Sequence, residues 1–319
     1  MNNIYKNIEP FIQEIEKSKN IVIAGHTSPD GDAICSALSL GMTLEKMNKS
    51  VTILLEEYES VYNYVKGHYM VYKDSYEDLK DVDLFISVDC GDINRLGDAK
   101  AIFEKAKKTV NIDHHISNDN FGDLNIVNDK ASSTSEIIFE IINHIGAIDL
   151  DIATAVYTGI VFDTGGFKHN CTSKRTHQIA GELVAIGVDT VNIYSDILSM
   201  HTLENSKLLS KAIQNIYIED DIIISTLSKQ EMEDLGASHK NTGGIVQYLL
   251  DIKNINVAVF LYEKNDKSIK VSFRSKTIDV NKIASSYGGG GHILAAGATI
   301  LDMTLEQIKN DILQKIKNV

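Results

Sequence analysis

Four short segments gather carboxylates and imidazoles at spacings suited to divalent cations. The first is His26-Thr-Ser-Pro-Asp30-Gly-Asp32, one imidazole and two carboxylates within seven residues, on a turn that Pro29 and Gly31 can hold tight. Hard cations such as Mg²⁺ and Mn²⁺ favour carboxylate oxygen, and an imidazole shifts the preference toward Mn²⁺. The second is Asp89, closing the apolar run Leu84–Val88, where a buried carboxylate is costly unless paired or metal-bound; Asp92 reads as a turn residue. The third is Asp113-His114-His115. Adjacent side chains point in different directions, so one imidazole can ligate a metal while the other faces substrate, and Asp113 can accept an imidazole N–H. The fourth is Asp163, followed by Thr164-Gly165-Gly166, which allows close backbone approach. A fifth segment, Gly288 to Gly291 before His292, opens toward an apolar helix-like stretch and exposes N–H groups able to hold an anion. Each segment also has an ordinary reading as a helix cap, a solvated strand end or a flexible loop. Their joint occurrence is what calls for chemistry.

The elements that position them follow from pattern. Ile21–Ala24, Val51–Leu55, Leu84–Val88 and Thr109–Ile112 are short apolar runs that read as buried strands. Ala33–Met47 has helical spacing, and Ser135–Ile145 is an amphipathic helix with Ser132, Ser133 or Thr134 available as N-cap. Ala153–Phe162 is a continuous apolar run ending at Asp163, and Arg175–Ile186 is a further helix stopped at Gly187. Strands alternating with helices predict a parallel sheet, whose ligands bind beyond the carboxyl ends of the strands. Three of the polar clusters stand at such ends. Asn192–Ala212 reads as a polar helical link. From Ile216 a second α/β unit begins: a hairpin turning at Glu219–Asp221, a helix at Gly243–Asp251, strands at Val257–Tyr262 and Ile269–Phe273, a short helix at Val280–Ser286, and a last helix at Leu305–Lys317.

A chain of 319 residues with 43% apolar and 24% charged residues is expected to form two globular domains. The first residues lack the apolar core of a signal peptide, and no stretch approaches a membrane span. The three cysteines, Cys35, Cys90 and Cys171, form no CxxC pair, which argues against a disulfide framework or a thiolate zinc site and points to the cytoplasm. The net charge of −13 argues against long duplex nucleic acid and leaves small anions whose charge bound cations could offset. Apolar residues on the helix faces leave room for a homodimer.

HTSPDGD, VDCGD, DHH and FDTGG, in this order, resemble the motifs of the DHH phosphoesterase superfamily, and GGGGH resembles the signature of its DHH-associated C-terminal domain. The resemblance spans nearly the whole chain, and the chain's length resembles that of bacterial nanoRNases, bifunctional enzymes that cut oligonucleotides of two to five residues to mononucleotides and remove the 3′-phosphate of adenosine 3′,5′-bisphosphate (pAp). It implies an α/β fold: a parallel-sheet DHH domain over residues 1–190, a helical connector over 191–213 and a smaller α/β substrate-binding domain over 214–319, with the active site in the cleft between the domains. It implies two divalent cations, most suitably Mn²⁺, which activate a hydroxide for attack on phosphorus. His26, Asp30 and Asp89 match the ligands of one cation; Asp32, Asp89, His114 and Asp163 match those of the other, with Asp89 bridging. His115 matches the residue that contacts the scissile phosphate and acts as acid. Arg274, Gly289, Gly290 and His292 match positions that hold the substrate's phosphate and nucleotide, and Arg95 is a further candidate. The partners implied are short single-stranded oligonucleotides and pAp.

Family II pyrophosphatases lack GGGGH, RecJ-type exonucleases carry more domains and a more basic track, and membrane-type cyclic-dinucleotide phosphodiesterases carry spans. A phosphodiesterase for linear pApA overlaps the nanoRNase reading in activity. The readings from other classes are a catalytically inactive nucleotide- or metal-binding module and a purely structural role for each Asp and His.

Overall fold

The computed structural model describes residues 5–72, 76, 79–146, 148–199, 202–264 and 268–318. The chain divides into two compact units, Met1–Met200 and His201–Val319. The stretch 191–213, expected as one connector, is shared between them: residues 191–199 continue the first unit and 202–213 lie in the second.

In the first unit the elements are α1 (Tyr5–Lys17), β1 (Asn20–Ala24), α2 (Gly31–Lys46), β2 (Ser50–Leu54), β3 (Leu84–Val88), α3 (Lys100–Phe103), β4 (Thr109–Asp113), β5 (Leu124–Val127), α4 (Thr134–Ile145), α5 (Leu150–Asp163), α6 (Lys174–Ile186) and α7 (Thr190–Tyr194). Every strand pair is parallel, in the order β2-β1-β3-β4-β5. β3 and β4 are buried at every position, as strands covered on both faces must be. On one face Ile21, Ile23, Ile86 and Ile112 join Leu38, Ile138, Ile142 and Val156 in one core. On the other, Val22, Phe85, Phe103 and Ile102 form a smaller one. The apolar run Ala153–Phe162 belongs to a helix, α5, buried along most of its length by packing on α2 and α4. Continuous burial removes the periodicity that would have identified it.

In the second unit the elements are α8 (Leu203–Gln214), β6 (Ile216–Glu219), β7 (Ile222–Leu227), α9 (Lys229–Asp234), α10 (Ile245–Leu250), β8 (Val257–Glu263), β9 (Ile269–Ser275), α11 (Val280–Ser285), β10 (Gly290–His292), β11 (Ala295–Ile300) and α12 (Leu305–Lys317). A mixed sheet of order β10-β11-β9-β8-β7-β6 separates two cores, one including residues of α11 and α12 and the other residues of α8 and α10. The glycine run does not open a helix, as its sequence suggested. Gly290–His292 is an edge strand, antiparallel to β11, and the apolar residues after it continue the hairpin. A Cβ on Gly289 would come within 2.7 Å of Ala298 Cα, so glycine there answers to close packing against β11. Among the described residues no helix is long and apolar enough to cross a membrane.

Candidate metal centre

The first-unit sheet reverses its direction of growth at β1, with β2 on one side and β3 on the other. Ligand sites of open α/β sheets form at such a switch point. His26 follows β1, Asp89 follows β3, and His114 and His115 follow β4. Asp30 caps α2: its Oδ1 accepts from the backbone N–H of Asp32 at 3.1 Å and of Ala33 at 3.2 Å. Asp163 ends α5. Helices therefore deliver three of the carboxylates and strand ends the other groups.

Asp89 has φ of 54°, in the left-handed region that Asp and Asn tolerate better than most residues. Its two oxygens face different neighbours. Oδ2 lies 3.7 Å from His26 Nε2, and Oδ1 lies 3.6 Å from His114 Nε2. His26 Nε2 is also 3.8 Å from Asp30 Oδ2, while His114 Nε2 is 3.1 Å from Asp163 Oδ2. Ligating atoms of His26, Asp30 and Asp89 lie within 4.8 Å of one another, and so do those of Asp32, His114 and Asp163. Asp89, His114 and His115 make a third such set. His115 Nδ1, however, is engaged by Asp113 Oδ1 at 2.7 Å.

The Thr27 carbonyl, 2.8 Å from His26 Nδ1, can only accept, so it fixes the proton on Nδ1 and leaves Nε2 free to ligate. Arg95 Nη2 lies 3.0 Å from the same nitrogen, within hydrogen-bond distance. Arg95 is exposed and stands beside the cluster. Arg274, Gly289, Gly290 and His292 lie together in the second unit. Arg274 on β9 pairs with Ala295 on β11, and Ala295 pairs with His292 on β10. Directly opposite residues of antiparallel strands share a face, so the guanidinium and the imidazole flank one small side chain.

Two family models match the chain: the DHH family, N-terminal domain, over residues 20–160, and the DHHA1 domain over residues 219–319. The bifunctional oligoribonuclease and PAP phosphatase NrnA of Bacillus subtilis is 30% identical over 296 residues, covering 91% of this chain and 92% of that protein. The chain belongs to the DHH family. The Thermus thermophilus protein of the same name is 29% identical over 93% of this chain and 89% of its own. The crystal structure of an exopolyphosphatase-related protein from Bacteroides fragilis superposes with a TM-score of 0.90 at 27% identity, covering 100% of this chain and 99% of that one.

In this DHH-family chain the electrostatics of the cluster fit divalent cations. Burial pushes the Asp163 carboxyl up to about 6, the Asp32 charge adds to the shift and His114 opposes it. Burial and neighbouring carboxylates likewise push Asp32 and Asp89 upward. Burial disfavours charge on His114, but the Asp163 hydrogen bond and the charges of Asp32 and Asp89 override it and hold the imidazolium up to about 10. Carboxylates crowded into a buried space repel one another until cations enter.

The signs predict how the metal-free protein responds to pH. Asp163 titrates higher folded than unfolded, so its charge is a penalty above about pH 6 that fades as pH falls toward its unfolded value. The stabilisation from His114 is fully present below its unfolded pKa and is lost as pH rises toward 10. Both act in one direction. The EDTA-treated protein should be more stable at pH 5.5 than at pH 8.5, by on the order of 1–3 kcal/mol. Saturating Mn²⁺ should reverse that order, because protons then compete with the metal. Thermal melts at the two pH values, with and without Mn²⁺, test this, and a flat metal-free profile would contradict it.

Sequence reasoning assigned Thr134 only to capping. Here Ser133 caps α4, and Thr134 touches two of the acidic residues instead. The available signal was the run Ser132-Ser133-Thr134-Ser135-Glu136, every residue of which is buried. α5 approaches this run closely: a Cβ on Gly159 would come within 2.8 Å of Ser135 Cβ and 2.9 Å of Asp32 Oδ1.

Proposed function

We propose that the protein is a manganese-dependent phosphoesterase that hydrolyses oligonucleotides of a few residues to mononucleotides and removes the 3′-phosphate of pAp. The observation that carries this reading is the pair of ligand sets, His26/Asp30/Asp89 and Asp32/His114/Asp163, arranged so that opposite oxygens of Asp89 face each set. Relatives named for both activities, matching about nine-tenths of the chain, support the choice of substrates. Oxygen ligands with an imidazole in each set favour Mn²⁺ over Mg²⁺.

Cations held by these residues would supply the Lewis acidity that offsets phosphate charge and makes water a nucleophile near neutral pH. The chain's own groups do the rest. Asp113 accepts from His115 Nδ1 and keeps that imidazole protonated above its ordinary range, so His115 can give a proton to the departing oxygen. Asn118 Nδ2 donates to Asp113 Oδ2 at 2.5 Å and fixes the carboxylate's orientation. Arg95, exposed beside His26, is assigned to substrate phosphate. In the second unit Arg274 is assigned to a second phosphate and His292, with the backbone at Gly289 and Gly290, to the nucleotide. A guanidinium suits phosphate because its fork of donors matches two oxygens at once. Burial lowers the pKa of the Arg274 guanidinium, a group that stays charged in proteins.

The test is a panel of RNA and DNA oligonucleotides of increasing length, pAp and linear pApA, incubated with Mn²⁺ and scored by product over time. Release of mononucleotides from the shortest RNAs and of phosphate from pAp is expected, with little cleavage of long strands. Cleavage of pApA alone would replace this reading with a narrower phosphodiesterase, and no turnover of any substrate would refute it. Within the panel, His292→Ala should raise KM for dinucleotides by about 10-fold while sparing hydrolysis of a simple aryl phosphodiester, the signature of a lost binding contact.

A further inference from the structure

We infer that the N-terminus of α4 positions the metal ligands, and that Thr134 is the residue tying the two ligand sets together. This inference rests on the two-metal reading above. Thr134 makes two bonds to two different carboxylates. Its backbone N–H donates to Asp32 Oδ2 at 2.6 Å, and its hydroxyl donates to Asp89 Oδ1 at 2.9 Å. The next backbone N–H, of Ser135, donates to Asp32 Oδ1 at 2.9 Å. Both oxygens of Asp32 therefore rest on the first turn of a helix, where free N–H groups and the helix dipole favour negative charge. The carboxylate is fully buried, so this support offsets part of the desolvation it suffers.

The clamp is itself locked from behind. Glu136 is buried, and its carboxylate accepts from the Ser132 hydroxyl at 2.6 Å, the Ser132 N–H at 3.3 Å and the Thr176 hydroxyl at 2.7 Å. These bonds tie the turn before α4 to the first turn of α6, so Thr134 is held in one place. On the far side α5 closes over Ser135 through Gly159.

The geometry gives Thr134 a directional role. Its hydroxyl bonds the Asp89 oxygen that faces His114, not the one that faces His26. Its N–H bonds Asp32, which belongs with His114 and Asp163. Thr134 thus orients Asp32 of the Asp32/His114/Asp163 set and the Asp89 oxygen that faces His114, while His26 and Asp30 depend on it only through the far oxygen of Asp89.

The experiment compares Mn²⁺ binding to the full-length protein, Thr134→Val and Thr134→Ser, after EDTA treatment, by electron paramagnetic resonance and equilibrium dialysis. Valine keeps the β-branched shape and the backbone N–H and removes only the hydroxyl. The unaltered protein should bind two Mn²⁺. Thr134→Val should bind one with unchanged Kd and the second about 10–100-fold more weakly, the range expected when a ligand loses its hydrogen-bonding support. Thr134→Ser should restore the second constant. Should Thr134→Val fail to fold, Thr134→Ala removes the same hydroxyl without the added methyl. Two unchanged constants in Thr134→Val would overturn the inference alone. Equal weakening of both constants, or a serine variant as weak as the valine one, would also overturn it, because a general packing defect predicts that pattern. Failure of the unaltered protein to bind Mn²⁺ would overturn the two-metal reading and this inference with it.

Discussion

Asp89→Asn should reduce hydrolysis of short RNA on the order of 10³-fold or more, because in the proposed two-metal mechanism one carboxylate serves both ligand sets and both cations are needed. Asparagine is the informative replacement. Residue 89 has φ of 54°, a conformation that asparagine accepts and that would add backbone strain to an alanine variant. The substitution keeps the side chain's shape and its acceptor for the Thr134 hydroxyl, and removes the charge that neighbouring carboxylates oppose. The metal-free variant should therefore be as stable as the unaltered protein or more so, while its Mn²⁺ content falls. Thermal melts in EDTA, metal analysis and turnover together decide the matter. A variant that keeps both Mn²⁺ and activity would sink the shared-ligand role, and one that unfolds in EDTA would instead assign Asp89 to stability.

His115→Gln should lower kcat about 10²–10⁴-fold, the usual range for loss of a general acid, with Mn²⁺ binding near that of the unaltered protein. The reason lies in the Asp113 contact. A hydrogen bond at 2.7 Å holds the proton on His115 Nδ1 and raises the imidazole's pKa, so the acid form persists toward higher pH. Activity of the unaltered protein should fall as pH rises through that raised value, and the variant should lose this limb of the profile. An ester with a good leaving group needs no proton, so its hydrolysis should suffer less. Loss of metal in the variant would make His115 a ligand, as its grouping with Asp89 and His114 allows. Equal losses on good and poor leaving groups would remove it from acid catalysis.

Much of the centre was legible in the chain. The strands β1, β3 and β4 announce themselves as short apolar runs, and each is followed directly by its polar cluster. Parallel strands put all their carboxyl ends on one edge, so His26, Asp89 and His114 had to meet there. α5 was less legible, because a helix buried almost all round shows no periodicity, and its contribution of Asp163 from a helix end was not evident. β5, four residues long, and the hairpin formed by β10 and β11 were missed for another reason. Short or glycine-rich strands carry little pattern, and pairing with neighbours decides them.

The sequence by itself determined which side chains could bind cations and that strand ends would carry them, because residue type fixes ligand chemistry and alternation of strand and helix fixes the sheet edge. Its net charge of −13 carries the expectation that long polyanions bind poorly. Only the tertiary structure decided how the groups divide. That Asp89 turns one oxygen to His26 and the other to His114 depends on a left-handed backbone at the end of β3. That Asp32 sits on the N-terminus of α4, across about a hundred residues of chain, depends on α2, α4 and α5 packing against one another. Spacing along the chain does not encode either relation, because hydrogen bonds between distant segments form only when the core brings them together.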